Sequence, residues 1–163
     1  MTKLYFCNEE EREGVLHKLL ARECGGQVKI ERKEGGKPFC SGAHFNLSHS
    51  GGRCVIAISS GEVGVDMEAL RGREHRTVLH SLSPRERAEI KDERDFLTHW
   101  TAREAYAKFL GEGIWKYAKR LEFFGGTLYL DGVPVEQKTE FCHLQNAVVA
   151  VCTESGGYTV GKI

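Results

Sequence analysis

The segment between residues 45 and 58 restricts the fold more than any other part of the sequence. Two strand-like runs, Phe45-Asn46-Leu47-Ser48-His49-Ser50 and Cys54-Val55-Ile56-Ala57-Ile58, flank Gly51-Gly52. Glycine adopts the positive φ angles that tight hairpin turns need, so the pattern predicts two antiparallel strands joined at the glycines. A second turn, Ser59-Ser60-Gly61-Glu62, leads into a third strand over Val63-Gly64-Val65-Asp66-Met67-Glu68.

Helical patterns lie on both sides of these strands. An apolar stripe of Val15, Leu16, Leu19 and Leu20 predicts a helix from about Glu10 to Cys24 that ends at Gly25-Gly26. Ser83-Pro84-Arg85-Glu86 has the order of a capping box with proline in the first helical position. A longer helix is predicted from about Asp95 to Leu110, and it stops at Gly111-Glu112-Gly113.

The remaining sequence is rich in strands and punctuated by glycine. Strands are predicted over residues 4–7, 121–124, 127–130, 141–144, 147–152 and 158–161. The chain is therefore predicted to be α+β. Residues 1–60 form a unit of one helix and one hairpin, and residues 61–163 form a second, larger unit.

Composition excludes several classes of protein. Lys plus Arg and Asp plus Glu number 23 each, and this balance argues against a dedicated nucleic-acid binder. No apolar run approaches the roughly 18 residues of a membrane-spanning helix, and the N-terminus lacks a secretory signal pattern. We therefore expect a cytoplasmic protein with no membrane partner.

The six cysteines and two basic stretches are further groups of candidate site residues. The cysteines form no C-x-x-C and no zinc-type spacing with histidine, so we expect reduced thiols, with Cys54 and Cys152 in the core. Two basic stretches, Leu70 to Arg76 and Lys116 to Arg120, are either solvated faces or sites for an anionic partner.

Two carboxylates share one face of the third strand. Side chains alternate along a strand, so Asp66 and Glu68 point the same way while Val65 and Met67 enter the core. The two acids repel each other unless a cation lies between them, and Mg²⁺ takes one or two protein carboxylates together with phosphates and water. The alternative is a pair of solvated acids on an exposed strand.

The long helix carries a second pair of charges. Glu104 and Lys108 are four residues apart and share a helical face, with Ala102, Ala105 and Phe109 on the packing side. Taken alone, this spacing favours an ordinary surface ion pair, which contributes roughly 0.3–0.5 kcal/mol.

Considered together, these motifs resemble the paired signature of the 4′-phosphopantetheinyl transferases. That signature is a G-[VI]-D-x-E strand followed by a W-x-x-K-E-A-x-x-K helix, here Gly64 to Glu68 and Trp100 to Lys108. Gly36-Lys37-Pro38, the Phe45 to Ser50 segment and Gly111-Glu112-Gly113-Ile114 extend the match in the same order. The spacing is similar to the larger, surfactin-type branch of the family.

The resemblance implies a fold, a reaction and a set of site residues. The fold would be two similar α/β halves related by a pseudo-twofold axis, with coenzyme A between them. The reaction would transfer the 4′-phosphopantetheine group to a serine of an apo acyl or peptidyl carrier protein and release 3′,5′-ADP. Asp66, Glu68 and Glu104 would bind Mg²⁺, with Mn²⁺ as an alternative metal.

The remaining roles are also carried over by motif position. Glu104 would be the general base, and Asp66 and Lys108 would complete the catalytic set, with Lys108 on the pyrophosphate or leaving phosphate. Ser48 and His49 would hold the 3′-phosphate of coenzyme A and Lys37 its nucleotide end. Arg103 would replace a family lysine beside the phosphates, keeping its charge without its capacity to release a proton.

The first half is shorter than in surfactin-type members, and a monomer is expected. Two alternatives remain open: a degenerate member that binds coenzyme A or a carrier without turnover, and a different Mg²⁺-dependent phosphate enzyme such as a phosphohydrolase. The carrier could serve fatty-acid, polyketide or nonribosomal peptide synthesis.

Overall fold

The computed structural model describes residues 1–33, 35–72 and 79–163 of the chain. The predicted basic stretch from Leu70 to Arg76 therefore lies partly outside the described residues. The helices within the described part are α1 (Arg12–Cys24), α2 (Pro84–Glu89) and α3 (Glu93–Leu110), with 3-10 turns at Glu9–Glu11 and Ile114–Lys116. The strands there are β1 (Thr2–Asn8), β2 (Glu31–Arg32), β3 (Pro38–Phe39), β4 (His44–Ser50), β5 (Arg53–Ser59), β6 (Val63–Ala69), β7 (Leu121–Phe124), β8 (Thr127–Leu130), β9 (Val133–Pro134), β10 (Lys138–Leu144), β11 (Ala147–Thr153) and β12 (Tyr158–Val160).

The predicted hairpin is confirmed and forms the centre of the first sheet. That sheet has the order β12-β1-β5-β4, and Ser50 pairs with Arg53 across the turn. Gly51 and Gly52 have φ angles of 62° and 76°, which is the left-handed region that glycine adopts without strain. Helix α1 covers this sheet with Leu16, Leu19 and Leu20, and it ends at Gly25 in the same left-handed conformation.

The third predicted strand belongs to a second sheet. This sheet has the order β10-β11-β6, and all pairs in it are antiparallel. Strand β10 begins at residue 138, three residues before the predicted start at 141. The prediction missed these three residues because they are polar and the apolar pattern begins only at Phe141. Strands β7, β8 and β9 form a small antiparallel sheet of their own. The mixed α+β class predicted from the sequence is therefore confirmed.

The two ends of the chain meet in the first sheet. Strand β12 pairs in parallel with β1, with Thr2 opposite Tyr158 and Leu4 opposite Val160. The division at residue 60 remains a prediction, and the structure adds that residues beyond it contribute a strand to the N-terminal sheet. None of the helices in the described part of the chain has the length and apolar composition needed to cross a bilayer.

Helix α3 lies directly against the backbone of β6 at Gly64. A Cβ atom on Gly64 would overlap the carbonyl oxygen of Ala105 and the backbone of Phe109. Ala102 and Ala105 are fully buried on this side of the helix, as the sequence predicted. Small residues on both elements therefore set the distance between the helix and the strand.

We predict that Gly64→Ala lowers the free energy of unfolding by about 1–3 kcal/mol or more, because the helix must move away from the strand. Urea unfolding followed by circular dichroism measures this loss. Gly14→Ala is the matched control: Gly14 lies within α1, where a Cβ meets open space, so alanine should leave stability unchanged or raise it by up to about 1 kcal/mol. Equal stability of Gly64→Ala and the wild type would contradict the close packing.

Candidate active site at the junction of two sheets

The two carboxylates of β6 share one face, as predicted. Val65 and Met67 lie in the core, 0% and 1% exposed, while Asp66 and Glu68 face β4. Strand β4 is the last strand of the first sheet and β6 the last strand of the second. The acids therefore lie where the edges of two sheets approach each other.

Three polar side chains of β4 join the two edges. Asn46 Oδ1 accepts a hydrogen bond from the backbone N–H of Val65 at 2.9 Å. Ser48 Oγ donates to Asp66 Oδ1 at 2.9 Å, and Ser50 Oγ donates to Glu68 Oε2 at 2.8 Å. Residues 46, 48 and 50 share one strand face because side chains alternate. We call these three residues the β4 seam.

Helix α3 places Lys108 at this junction. The Lys108 ammonium donates to Asp66 Oδ1 at 2.7 Å and to Ser48 Oγ at 3.1 Å. Asp66 is 4% exposed, and its second oxygen, Oδ2, is buried without a hydrogen-bond partner among the described residues. A buried carboxylate oxygen with no donor is costly, so Oδ2 is a natural ligand atom for a cation.

Glu104 lies half-buried on the same helix, one turn before Lys108. Burial, the negative charge of Asp66 and that of Glu68 together raise the pKa of Glu104 to about 7, against the opposing charge of Lys108. Burial also raises the pKa of Glu68, an effect that its bond with Ser50 opposes. The three acids therefore repel one another, and a divalent cation among them would relieve that repulsion.

The donor set fits Mg²⁺ only with oxygens from a ligand. No three His, Cys, Asp or Glu side chains in the described part of the chain converge closely enough to hold a metal by themselves. Mg²⁺ binds through one or two carboxylates and completes its octahedral shell with phosphate and water, so a preformed protein cage is not required. Carboxylates, an unpartnered Oδ2 and mutual repulsion are consistent with such a site.

A cavity of about 340 Å³ opens beside Lys108. Its lining includes three cationic residues, one acid and two glycines: Arg32, Lys37, Lys108, Glu112, Gly111 and Gly113. Gly111 ends α3 with a φ of 79° and, like Gly113, adds no side chain to the cavity wall. Cations outnumber acids in this lining, and Arg32 and Lys108 are the two that are not directed into the protein, which suits an anionic ligand.

Lys37 is directed into the protein. Its ammonium donates to Glu62 Oε2 at 2.6 Å and to the carbonyl oxygens of Val63 and Phe109, each at 3.1 Å. These bonds tie the segment before β3 to the start of β6 and the end of α3. All three of its protons are used, so a contact with nucleotide would require Lys37 to give up one of these bonds.

His49 lies on the opposite face of β4 from Ser48. Its side chain is 47% exposed, and Nδ1 lies 2.8 Å from Glu9 Oε1. The structure therefore brings Ser48, but not His49, to the carboxylate cluster.

Arg103 is placed away from any ligand surface. Its side chain is fully buried, and its guanidinium donates to the backbone carbonyls of Ser81 and Ala118. In this structure the guanidinium exposes no surface to a phosphate, and the expected contact between Arg103 and phosphate stays a prediction. Nη1 lies 3.7 Å from the fully buried carboxylate of Glu86, the residue that completes the confirmed capping box of α2.

Sequence reasoning missed Asn46, Ser50 and Glu62 as parts of this region. Asn46 and Ser50 share the two-residue period of Ser48, a signal that could have been read along β4. Glu62 lies in a turn, where no periodic sequence pattern marks it as a site residue. Its partners Lys33 and Lys37 are distant in sequence and approach it only in the folded chain.

Comparison with known proteins connects this region to one family. The family model described as the 4′-phosphopantetheinyl transferase superfamily matches residues 62–153, which is more than half of the chain. The matched range contains both β6 and α3.

Individual relatives agree with the family model. The chain is 33% identical over 139 residues to the 4′-phosphopantetheinyl transferase HetI of Nostoc sp., covering 70% of this chain and 57% of the relative. It is 30% identical over 114 residues to the 4′-phosphopantetheinyl transferase Sfp of Bacillus subtilis, covering 64% of this chain and 50% of the relative. The chain thus spans about half the length of the relatives it matches.

The Glu62 cluster predicts a pH dependence of stability. Burial acts to raise the pKa of Glu62, but the hydrogen bonds and charges of Lys37 and Lys33 outweigh it and lower the pKa to about 2. A carboxylate whose pKa is lower in the folded state than in the unfolded state stabilises the fold. This contribution is fully present when the pH is above the unfolded-state pKa of 4.5, and it disappears as the pH falls toward the folded-state pKa of about 2.

Glu62→Gln should therefore lower the free energy of unfolding by on the order of 1–2 kcal/mol at pH 6, and the gap should narrow between pH 5 and pH 3. Urea titrations at each pH measure it. Glu31→Gln is the control, because Glu31 pairs with Lys29 in an exposed position and should contribute little. A gap that stays constant down to pH 3 would contradict the assignment.

Loss of Arg103 should destabilise the fold. Arg103→Met leaves the buried Glu86 carboxylate without its cation, which typically costs 3–5 kcal/mol, so the midpoint of urea unfolding should fall sharply. Arg87→Met, on an exposed position of α2, should stay within about 0.5 kcal/mol of the wild type. If Arg103→Met unfolds like the wild type, Arg103 has no structural role.

Proposed function

The chain belongs to the 4′-phosphopantetheinyl transferase superfamily, and on that basis we propose that it is an active transferase. It would move the 4′-phosphopantetheine group of coenzyme A to a serine of an apo acyl or peptidyl carrier protein. The serine oxygen forms a bond to the phosphorus next to pantetheine, the bond from that phosphorus to 3′,5′-ADP breaks, and the serine proton passes to a base. We place the chain in the surfactin-type branch.

One observation supports this function above the others. Three acids, Asp66, Glu68 and Glu104, act on one another at a sheet junction, and Lys108 connects this junction to a cavity that Arg32, Lys37 and Glu112 also line. Phosphoryl transfer depends mainly on positioning and on neutralising spreading charge, so it needs acids for a metal and cations for phosphates in one place.

Asp66, Glu68 and Glu104 are the residues that we assign to Mg²⁺, with Mn²⁺ as a possible substitute. Because these three side chains do not converge closely enough to hold a metal by themselves, we expect them to move closer together when the metal and the phosphates of coenzyme A bind. When bound, the metal would neutralise charge on the pyrophosphate oxygens of coenzyme A. Asp66 Oδ2 has no competing hydrogen bond among the described residues and is the first ligand atom that we assign.

Lys108 and Ser48 are the residues that we assign to the phosphates at the junction. Lys108 reaches Asp66 and Ser48 now, and its partly exposed side chain can turn a donor toward a phosphate in the adjoining cavity. Lys108 occupies Oδ1 of Asp66, so the other oxygen, Oδ2, stays available for the metal. Lysine offers three rotatable donors, which suits this sharing.

Glu104 is the residue that we assign as general base. Glu104 lies on the helix that also carries Lys108 and interacts with the charges of Asp66 and Glu68, and a bound divalent cation would keep its carboxylate ionised and able to accept a proton. This carboxylate would take the proton of the carrier serine as the oxygen attacks phosphorus.

His49 and Lys37 are assigned to the nucleotide end, His49 with Ser48 at the 3′-phosphate. Both now contact carboxylates, Glu9 and Glu62, that an incoming phosphate could replace. We further propose that two similar halves, residues 1–60 and 61–163, are related by a pseudo-twofold axis, and that the protein acts as a cytoplasmic monomer.

The proposal is tested by adding Mg²⁺, coenzyme A and a panel of apo carrier proteins to the full chain and weighing the carriers by intact mass spectrometry. We expect a carrier to gain the phosphopantetheine arm, and Asp66→Ala to slow the gain at least about a hundredfold. Asp131→Asn is the control and should react like the wild type, because Asp131 lies in a turn, pairs with Arg120 and contributes to neither the acid cluster nor the cavity.

Other outcomes would favour the alternatives. Binding of coenzyme A by calorimetry without transfer to any carrier would indicate a degenerate member of the family. Hydrolysis of simple phosphate esters in the absence of a carrier would indicate a phosphohydrolase. If the protein neither binds coenzyme A nor transfers its arm to any carrier, the proposed function is wrong.

A further inference from the structure

The hydroxyl group of Ser50, next to the Glu68 carboxylate, has three hydrogen-bond partners. Its Oγ atom accepts a hydrogen bond from the backbone N–H of Ala69 at 3.1 Å and another from Arg71 Nη2 at 3.3 Å. It lies 2.8 Å from Glu68 Oε2. Ser50 is 6% exposed, so these partners, rather than water, surround the hydroxyl group.

The two accepted bonds determine where the hydroxyl proton points. A serine hydroxyl has two acceptor positions and one proton. Because Ala69 and Arg71 occupy both acceptor positions, the proton is directed to Glu68 Oε2. The direction of this hydrogen bond therefore follows from the partners alone.

We propose that Ser50 is a positioning residue that orients the Glu68 carboxylate toward the divalent metal. This inference rests on the proposed function. Ser50 holds Oε2 and would leave Oε1 as the ligand atom for the metal, while Arg71 and the Ala69 amide donate to Ser50 itself. Hydrogen-bond partners behind a metal ligand commonly control its orientation and basicity.

The other members of the β4 seam act differently. Ser48 accepts a hydrogen bond from Lys108 of another element, and Asn46 accepts one from the backbone N–H of Val65. Ser50 is thus the member of the seam that connects one acid to donors at the end of β6 and just beyond it. Removing it should loosen Glu68 without removing any metal ligand.

The test is a titration of Mn²⁺ monitored by electron paramagnetic resonance, with the full chain and coenzyme A present and no carrier protein. Asp66→Ala reports the Mn²⁺ that coenzyme A holds by itself. We expect Ser50→Ala to raise the Kd for Mn²⁺ by about 10-fold or more. Ser50→Thr keeps the hydroxyl group and should restore most of the affinity.

Ser59→Ala separates positioning from general stability. Ser59 is a buried strand serine that bonds to Thr2 Oγ1 at 2.9 Å, in the neighbouring strand β5 and away from the acids. We expect Ser50→Ala and Ser59→Ala both to lower the Tm, but only Ser50→Ala to weaken Mn²⁺ binding. In the transfer assay, Ser50→Ala should raise the Mg²⁺ concentration needed for half-maximal rate more than it lowers the rate at saturation.

The Mn²⁺ titrations distinguish an error in the role of Ser50 from an error in the metal site. If Ser50→Ala binds Mn²⁺ like the wild type, or Ser59→Ala weakens it equally, the positioning role is wrong while the metal site stands. If the wild type holds no more Mn²⁺ than Asp66→Ala, the metal site of the proposed function is wrong, and the role of Ser50 is wrong with it.

Discussion

The contact between α3 and β6 at Gly64 is the constraint on which the rest of the site depends. The helix lies on the strand backbone so closely that no side chain fits between them. At that distance Lys108 meets Asp66, and Glu104 lies near enough to both strand acids for their charges to change its pKa. A larger separation would place the same residues on two unrelated surfaces.

Electrostatics at the junction is incompletely balanced. Lys108 compensates Asp66, but Glu68 and Glu104 keep raised pKa values because burial and neighbouring acids act on both. Elsewhere two buried cations have carboxylate and carbonyl partners: Lys37 is held by Glu62 and two carbonyl groups, and Arg103 lies beside Glu86 with two carbonyl groups of its own, while its Nε has no hydrogen-bond partner among the described residues. Excess negative charge is therefore concentrated beside the cavity, which is what a site for a cation and an anionic substrate requires.

The β4 seam connects this charge to the rest of the fold. Two sheets end at β4 and β6, and an edge strand needs partners for its backbone groups. Asn46 and Ser50 provide such partners from side chains, while Ser48 and Ser50 also bond to the acids. The same residues thus join the sheets and hold the carboxylates, so that stability and site geometry are coupled.

The sequence by itself determined the local features of the protein. Glycine pairs located the hairpin turn, the capping box located α2, and strand alternation put Asp66 and Glu68 on one face, because each of these depends on neighbours in the chain. Tertiary structure decided which side chains meet. The family resemblance assigns Lys37 and Arg103 to ligand phosphates, and in the fold both side chains are directed inward, where Glu62, Glu86 and backbone carbonyls compensate their charge. The physical reason is that pairing between distant residues depends on how closely helix and sheet edges pack, and no local pattern specifies that distance.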